Sequence, residues 1–143
     1  MTKTTRSLLL FSMLLLFACG KSNTYPDIPV VQVELTISLS LPQYSVLNGI
    51  GNNVKVAGGY KGILIFRKSI DQFAAYERAC PYDPTISGAI IDVDSSLVLG
   101  IDRHCGSKFN FFDGSVINGP ATRPLKQYRC DYDSQFQTLH IYN

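Results

Sequence analysis

The sequence predicts an all-β domain, a small antiparallel sandwich or barrel of about ten short strands. Three observations lead there. Residues 31–41 alternate apolar and polar side chains without a fault, nine further short runs follow, and turn residues separate them. Nowhere in the domain do apolar residues recur at the spacing of an amphipathic helix.

In the first run, Val31, Val33, Leu35, Ile37, Leu39 and Leu41 share one face, and Gln32, Glu34, Thr36, Ser38 and Ser40 share the other. That two-residue period is a half-buried strand, whereas a helix would scatter the same residues around its circumference. The later runs are residues 54–57, 63–67, 73–76, 90–93, 97–101, 109–111, 116–117, 128–132 and 138–142. Asn48-Gly49, Gly58-Gly59, Asp94-Ser95-Ser96, Asp113-Gly114 and Asp133-Ser134 punctuate them with residues that tolerate tight turns.

The N-terminus reads as an address. Lys3 and Arg6 precede an apolar run at residues 7–18, which is too short for a span of about 20 residues and suits a signal peptide. The run stops at Ala18-Cys19-Gly20, which resembles a bacterial lipobox, where a cysteine is diacylated and becomes the new N-terminus. This organisation implies a signal peptide over 1–18, a lipidated tether over 19–28, polar and ending beside Pro26 and Pro29, and a β domain over 29–143. Lipidation on Cys19 places the protein in the bacterial cell envelope, anchored to a membrane and outside the cytoplasm. The domain, of roughly 115 residues, is long enough for one hydrophobic core.

The charge excludes one class of partner. The whole chain carries 13 basic and 11 acidic residues, but Lys3 and Arg6 leave with the signal peptide, and the mature count is 11 against 11. A nucleic-acid footprint needs a basic patch or stripe, so no nucleic acid is expected as partner.

Two loop segments carry the chemistry. One is Cys80-Pro81-Tyr82-Asp83-Pro84, and the other is Asp102-Arg103-His104-Cys105-Gly106-Ser107-Lys108-Phe109. The second is followed by Asp113-Gly114-Ser115-Val116 and by Gly119-Pro120-Ala121-Thr122-Arg123-Pro124-Leu125. Together they resemble the Rieske [2Fe–2S] iron–sulfur domain family. In that family a first loop reads Cys-Pro-His or similar, a second reads Cys-Pro-x-His-Gly-Ser, and a Gly-Pro-Ala loop covers the cluster. The resemblance runs from about Gly62 to Tyr142 and implies a Rieske-type β fold. The family's ligand positions fall on Cys80, Tyr82, Asp102 and Cys105, of which only Cys80 keeps the family identity. Ser107, Gly119 and Pro120 fall where the family surrounds its cluster, and Phe109 stands where high-potential members carry a tyrosine.

A Rieske centre takes two thiolates on one iron and two imidazoles on the other. With Tyr82, Asp102 and Cys105 at three of the four positions, the resemblance implies a degenerate member with no cofactor expected. It brings the two loop tips together, so Cys80 and Cys105 are expected to form a disulfide, closing a loop worth roughly 3.5 kcal/mol in the chain-entropy model. Two alternatives keep a metal: zinc held by Cys80, Asp102, His104 and Cys105, or an iron–sulfur cluster with unusual ligands. Cys130 alternates with Tyr128 and Tyr132 and reads as an inert core thiol.

No arrangement of nucleophile, base and orienting group stands out, so no enzyme is expected. The implied role is a non-catalytic binding or structural module docking to other envelope proteins. The alternative is an electron-transfer protein with an atypical iron–sulfur or mononuclear metal centre.

Overall fold

A computed structural model describes residues 26–143. The expected signal peptide, Cys19 and most of the tether lie outside the described residues. Ten strands form: β1 (Glu34–Ser38), β2 (Asn53–Val56), β3 (Ile63–Arg67), β4 (Phe73–Glu77), β5 (Ile91–Val93), β6 (Leu99–Asp102), β7 (Lys108–Asn110), β8 (Val116–Asn118), β9 (Gln127–Asp133) and β10 (Thr138–Tyr142). They pair antiparallel in two sheets, one ordered β1-β10-β9-β4-β3-β2 and the other β5-β6-β7-β8. Among the described residues, no helix is long and apolar enough to cross a membrane.

β3 and β4 are buried along their whole length, which explains why their sequences lack the alternation seen in residues 31–41. Successive side chains point to opposite faces of a strand. On one face Ile63, Ile65 and Ala75 pack with Ile37, Leu39, Leu47, Leu139 and Ile141. On the other, Leu64, Phe66, Ala74 and Tyr76 pack with Ile91, Phe109 and Phe111 of the smaller sheet region, and with Cys80. The second cluster is the one that supports the loops.

Most strand bounds shift by one residue from the sequence reading, and two depart by more. The strand expected over residues 31–41 pairs only over Glu34–Ser38, in register with β10. The alternation nevertheless persists beyond the ladder, since Val33 and Leu39 are still buried. After it comes an unforeseen 3₁₀ helix, Pro42–Asn48, whose first turn suits proline and whose buried side chain is Leu47. The run 97–101 loses its first residues because Leu97 adopts a φ of 66° and its N–H closes a turn on the Asp94 carbonyl.

Two polar contacts tie the layers together. Asp92 of β5 receives Lys55 of β2 and Arg78, just beyond β4, so that the two sheets are bridged by charge. Glu77, fully buried at the end of β4, accepts hydrogen bonds from the Tyr60, Lys61 and Ala79 N–H groups and from the Tyr128 hydroxyl. Four donors around one carboxylate make its burial affordable. Gly59 is required beside it: its φ is +62°, and a Cβ there would lie 2.4 Å from Glu77 Oε2.

Candidate functional site

The first site loop begins where β4 ends. Ala79 bridges to Ile90, and the Cys80 N–H donates to the Ala89 carbonyl at 3.3 Å, so the chain between them closes on itself. Lys61 Nζ reaches across to the Ile86 and Ala89 carbonyls and pins the returning limb. The second site loop connects β6 to β7. There the Asp102 N–H donates to the Ser107 carbonyl and the Gly106 N–H to the Asp102 carbonyl, with Gly106 at a φ of +81°. The Asp102 side chain accepts the His104 N–H at 2.8 Å, an Asx turn that holds the carboxylate inward.

These loops meet. Cys80 Sγ and Cys105 Sγ lie 3.8 Å apart, Cys105 Sγ donates to Asp102 Oδ2 at 3.2 Å, and Ser107 Oγ lies 3.1 Å from Cys105 Sγ. Burial, reinforced by the Asp102 carboxylate, pushes the Cys80 thiol well above its ordinary range, while the Tyr82 N–H on its sulfur opposes this. Cys80, Asp83, Asp102 and Cys105 each offer a donor atom, and these atoms all lie within 4.8 Å of one another.

Most of the residues expected from sequence are brought together, with three differences. His104 is not among the convergent donors; its ring turns outward and faces Asp83 Oδ2 at 3.5 Å. Neighbours on an extended loop point apart, and the inward place at this bend belongs to Cys105. The expected donor set of Cys80, Asp102, His104 and Cys105 is therefore corrected, with Asp83 in place of His104. The expected Cys80–Cys105 disulfide is not formed in this structure: both residues are free thiols, at a separation well beyond the bond length of about 2.05 Å. Tyr82 packs its half-buried ring against the second apolar cluster.

The covering loop also differs in detail. Gly119 and Pro120 are exposed at the rim, and it is the Ala121 N–H that reaches inward, donating to Ser107 Oγ at 2.9 Å. Ser107 is fully buried and so links the second loop to the cover. Arg123, which sequence reasoning passed over, donates to the Pro81 and Pro26 carbonyls at 2.8 Å each and pairs with Asp27. The last residues of the expected tether are thereby docked beside the first loop.

Cys130 stands apart, half-buried against the first apolar cluster, with its thiol pushed up to about 11 by burial. That is the behaviour of an unreactive core cysteine.

No family model and no curated protein sequence matches the chain. Similar solved structures exist. The cyanobacterial plasma membrane Rieske protein PetC3 from Synechocystis PCC 6803 is 15% identical with a TM-score of 0.51, covering 63% of this chain and 85% of that one. A complex of oxygenase and ferredoxin in carbazole 1,9a-dioxygenase is 16% identical with a TM-score of 0.49, covering 80% and 94%. The E. coli protein NirD is 16% identical with a TM-score of 0.45, covering 79% and 98%. At such identities the likeness concerns the path of the backbone. The strand order, the two converging loops and the likeness to the PetC3 structure agree on a Rieske-type fold, all-β and antiparallel.

Proposed function

We propose that the chain is a bacterial envelope lipoprotein, anchored through an acylated Cys19, whose Rieske-like domain holds no Rieske cluster and acts as a non-catalytic binding module. One observation carries the reading: the donors gathered between the loops are two thiols and two carboxylates, without an imidazole. A Rieske centre requires two imidazoles on its outer iron. The chain has two histidines, and neither is placed to supply one. His104 faces outward onto Asp83, and His140 on β10 pairs with Glu34 at the far edge of the larger sheet. The residues present do not fit the group that the fold accommodates elsewhere.

What remains at the tips is a surface. Arg103, His104, Gly119 and Pro120 are exposed around the buried Cys80 and half-buried Cys105 thiols, on loops tied down by Lys61, Ser107 and Arg123. Rigid loops with exposed tips are suited to binding, because little ordering is required when a partner docks. Anchoring is supported by the apolar run ending at Cys19.

The test is chemical analysis of the protein purified from membranes without added iron. A colourless protein lacking iron and acid-labile sulfide is expected. A red-brown protein with two irons per chain overturns the reading and favours the electron-transfer alternative. Mass spectrometry of the same sample should place a diacylglycerol on Cys19.

A further inference from the structure

We propose that Cys80, Asp83, Asp102 and Cys105 bind a single zinc ion, with two sulfur and two oxygen ligands in a closed tetrahedral site. The inference rests on the reading that these loops hold no iron–sulfur cluster, and it says what replaces it.

The size of the donor group fits one ion. With a zinc–sulfur bond of about 2.3 Å, two thiolates on one tetrahedral ion stand about 3.8 Å apart. The Cys80 and Cys105 sulfurs are separated by 3.8 Å, and both carboxylates complete a group no wider than 4.8 Å. The sequence spacing is that of two ligand-bearing loops. Cys80-Pro81-Tyr82-Asp83 and Asp102-Arg103-His104-Cys105 each present one sulfur and one oxygen ligand three residues apart, in mirrored order. Short intervals of this kind let one loop supply two adjacent corners of a tetrahedron.

A second observation is independent of spacing. Asp83 Oδ1 is buried and accepts no hydrogen bond, one of two such side-chain atoms among the described residues. Leaving a buried acceptor unmet costs roughly 1–3 kcal/mol, and more for a charged one. A cation among these four donors removes that penalty.

The surroundings are those of ligands held in place. The His104 N–H holds Asp102 Oδ1 and the His104 ring flanks Asp83 Oδ2. The Tyr82 N–H bonds Cys80 sulfur, and Ser107 Oγ touches Cys105 sulfur. Such outer partners orient ligands and are themselves worth about 10–100-fold in metal affinity. Zinc accepts mixed sulfur and oxygen ligands and four protein ligands leave it no open position, so the role is structural. On binding, each thiol releases its proton to solvent as the zinc–sulfur bond forms, and no electrons are transferred.

The experiment uses the full chain in detergent, with thiols reduced and metal removed by a chelator, titrated with zinc against a chromophoric competitor. One zinc per chain is expected, and cobalt(II) in its place should give the intense near-ultraviolet absorption of thiolate-to-metal charge transfer. Asp83→Asn should weaken zinc binding by more than about tenfold, the scale even of an outer partner's loss. The double variant Cys80→Ser/Cys105→Ser should bind none, with circular dichroism reporting that the sheet is retained. Zinc held no more tightly by the reduced wild type than by the double variant overturns the inference, as does an Asp83→Asn variant of unchanged affinity. A Cys80–Cys105 disulfide that forms despite excess zinc overturns it too. Acid-labile sulfide in the native protein would instead overturn the reading beneath it, so the two failures are distinguishable.

Discussion

The Tyr128 hydroxyl donates to the Glu77 carboxylate at 2.7 Å, and this bond joins β9 to β4 at the point where β4 gives way to the first site loop. The same carboxylate collects three backbone N–H groups, from Tyr60, Lys61 and Ala79. Burial, with the carboxylate's own charge, pushes the Tyr128 hydroxyl far above its ordinary range, so it stays a donor at any physiological pH.

Glu77→Ala leaves four donors unmet, two of them buried, and Tyr128→Phe removes one of the four bonds. Urea denaturation should show a loss of about 3 kcal/mol or more for the first and about 1 kcal/mol for the second. Equal losses would mean that the carboxylate is not the hub.

Two glycines in left-handed conformations should respond differently to alanine. Gly59→Ala meets both a φ of +62° and the Glu77 and Tyr128 oxygens, at 2.4 and 2.5 Å from the new Cβ. Gly106, at a φ of +81°, has open space around it. Thermal unfolding should show Gly106→Ala costing about 1 kcal/mol from backbone strain alone. Gly59→Ala should cost at least about twice that, since the hydrogen bonds of Glu77 must also shift.

The bridge between the sheets gives a pH dependence of known sign. The Lys55 ammonium, hydrogen-bonded to Asp92, holds that carboxyl below the usual range despite the opposing effect of partial burial, and Arg78 adds to it. A carboxyl lowered in the folded state contributes stability above its unfolded value, about 3.9, and that contribution fades as pH falls through the folded value. Asp92 is 41% exposed, so Asp92→Asn should cost less than about 1 kcal/mol at pH 7. The difference from wild type should shrink as pH falls below about 3.9 and vanish once pH has passed through the lowered folded value.

Restoring the family's ligands tests whether the loops are still a cluster scaffold. Tyr82→His, Asp102→Cys and Cys105→His together supply two thiolates and two imidazoles, with Cys80 unchanged. Reconstituted anaerobically with iron and sulfide, the triple variant should bind two irons and show the electron paramagnetic resonance signal of a histidine-ligated cluster. The unaltered chain should not. If the variant also stays empty, the half-buried place of Tyr82 on the apolar cluster is not interchangeable with a ligand position.

Sequence alone located β3 and β10 to the residue, because a five-residue apolar run closed by Arg67 and an alternating run, each bounded by turn residues, are too short for helices. The 3₁₀ helix over Pro42–Asn48 escaped it, since seven residues with one buried side chain show no period. The site was legible in its sulfur pair and in Asp102. Asp83 was hidden by its place before Pro84, where Asp-Pro reads as a turn. The mirrored Cys-x-x-Asp and Asp-x-x-Cys spacings were the available signal. His104 misled because sequence proximity to Cys105 says nothing about which way a loop side chain faces. Arg123 escaped because all of its partners are distant in sequence: Pro26, Asp27 and Pro81.

The Arg123 clamp has a geometric corollary. It holds Pro26 and Asp27 against Pro81, so the chain leaves the domain from the side that bears the site loops. Seven residue steps separate Pro26 from Cys19, a span of at most about 25 Å when fully drawn out. Were Cys19 acylated as proposed, Pro26, and with it the base of the first site loop at Pro81, would be leashed to within that height of the bilayer surface. An encounter with those loops would then be a search across a plane, among molecules that share the same membrane or reach down to it.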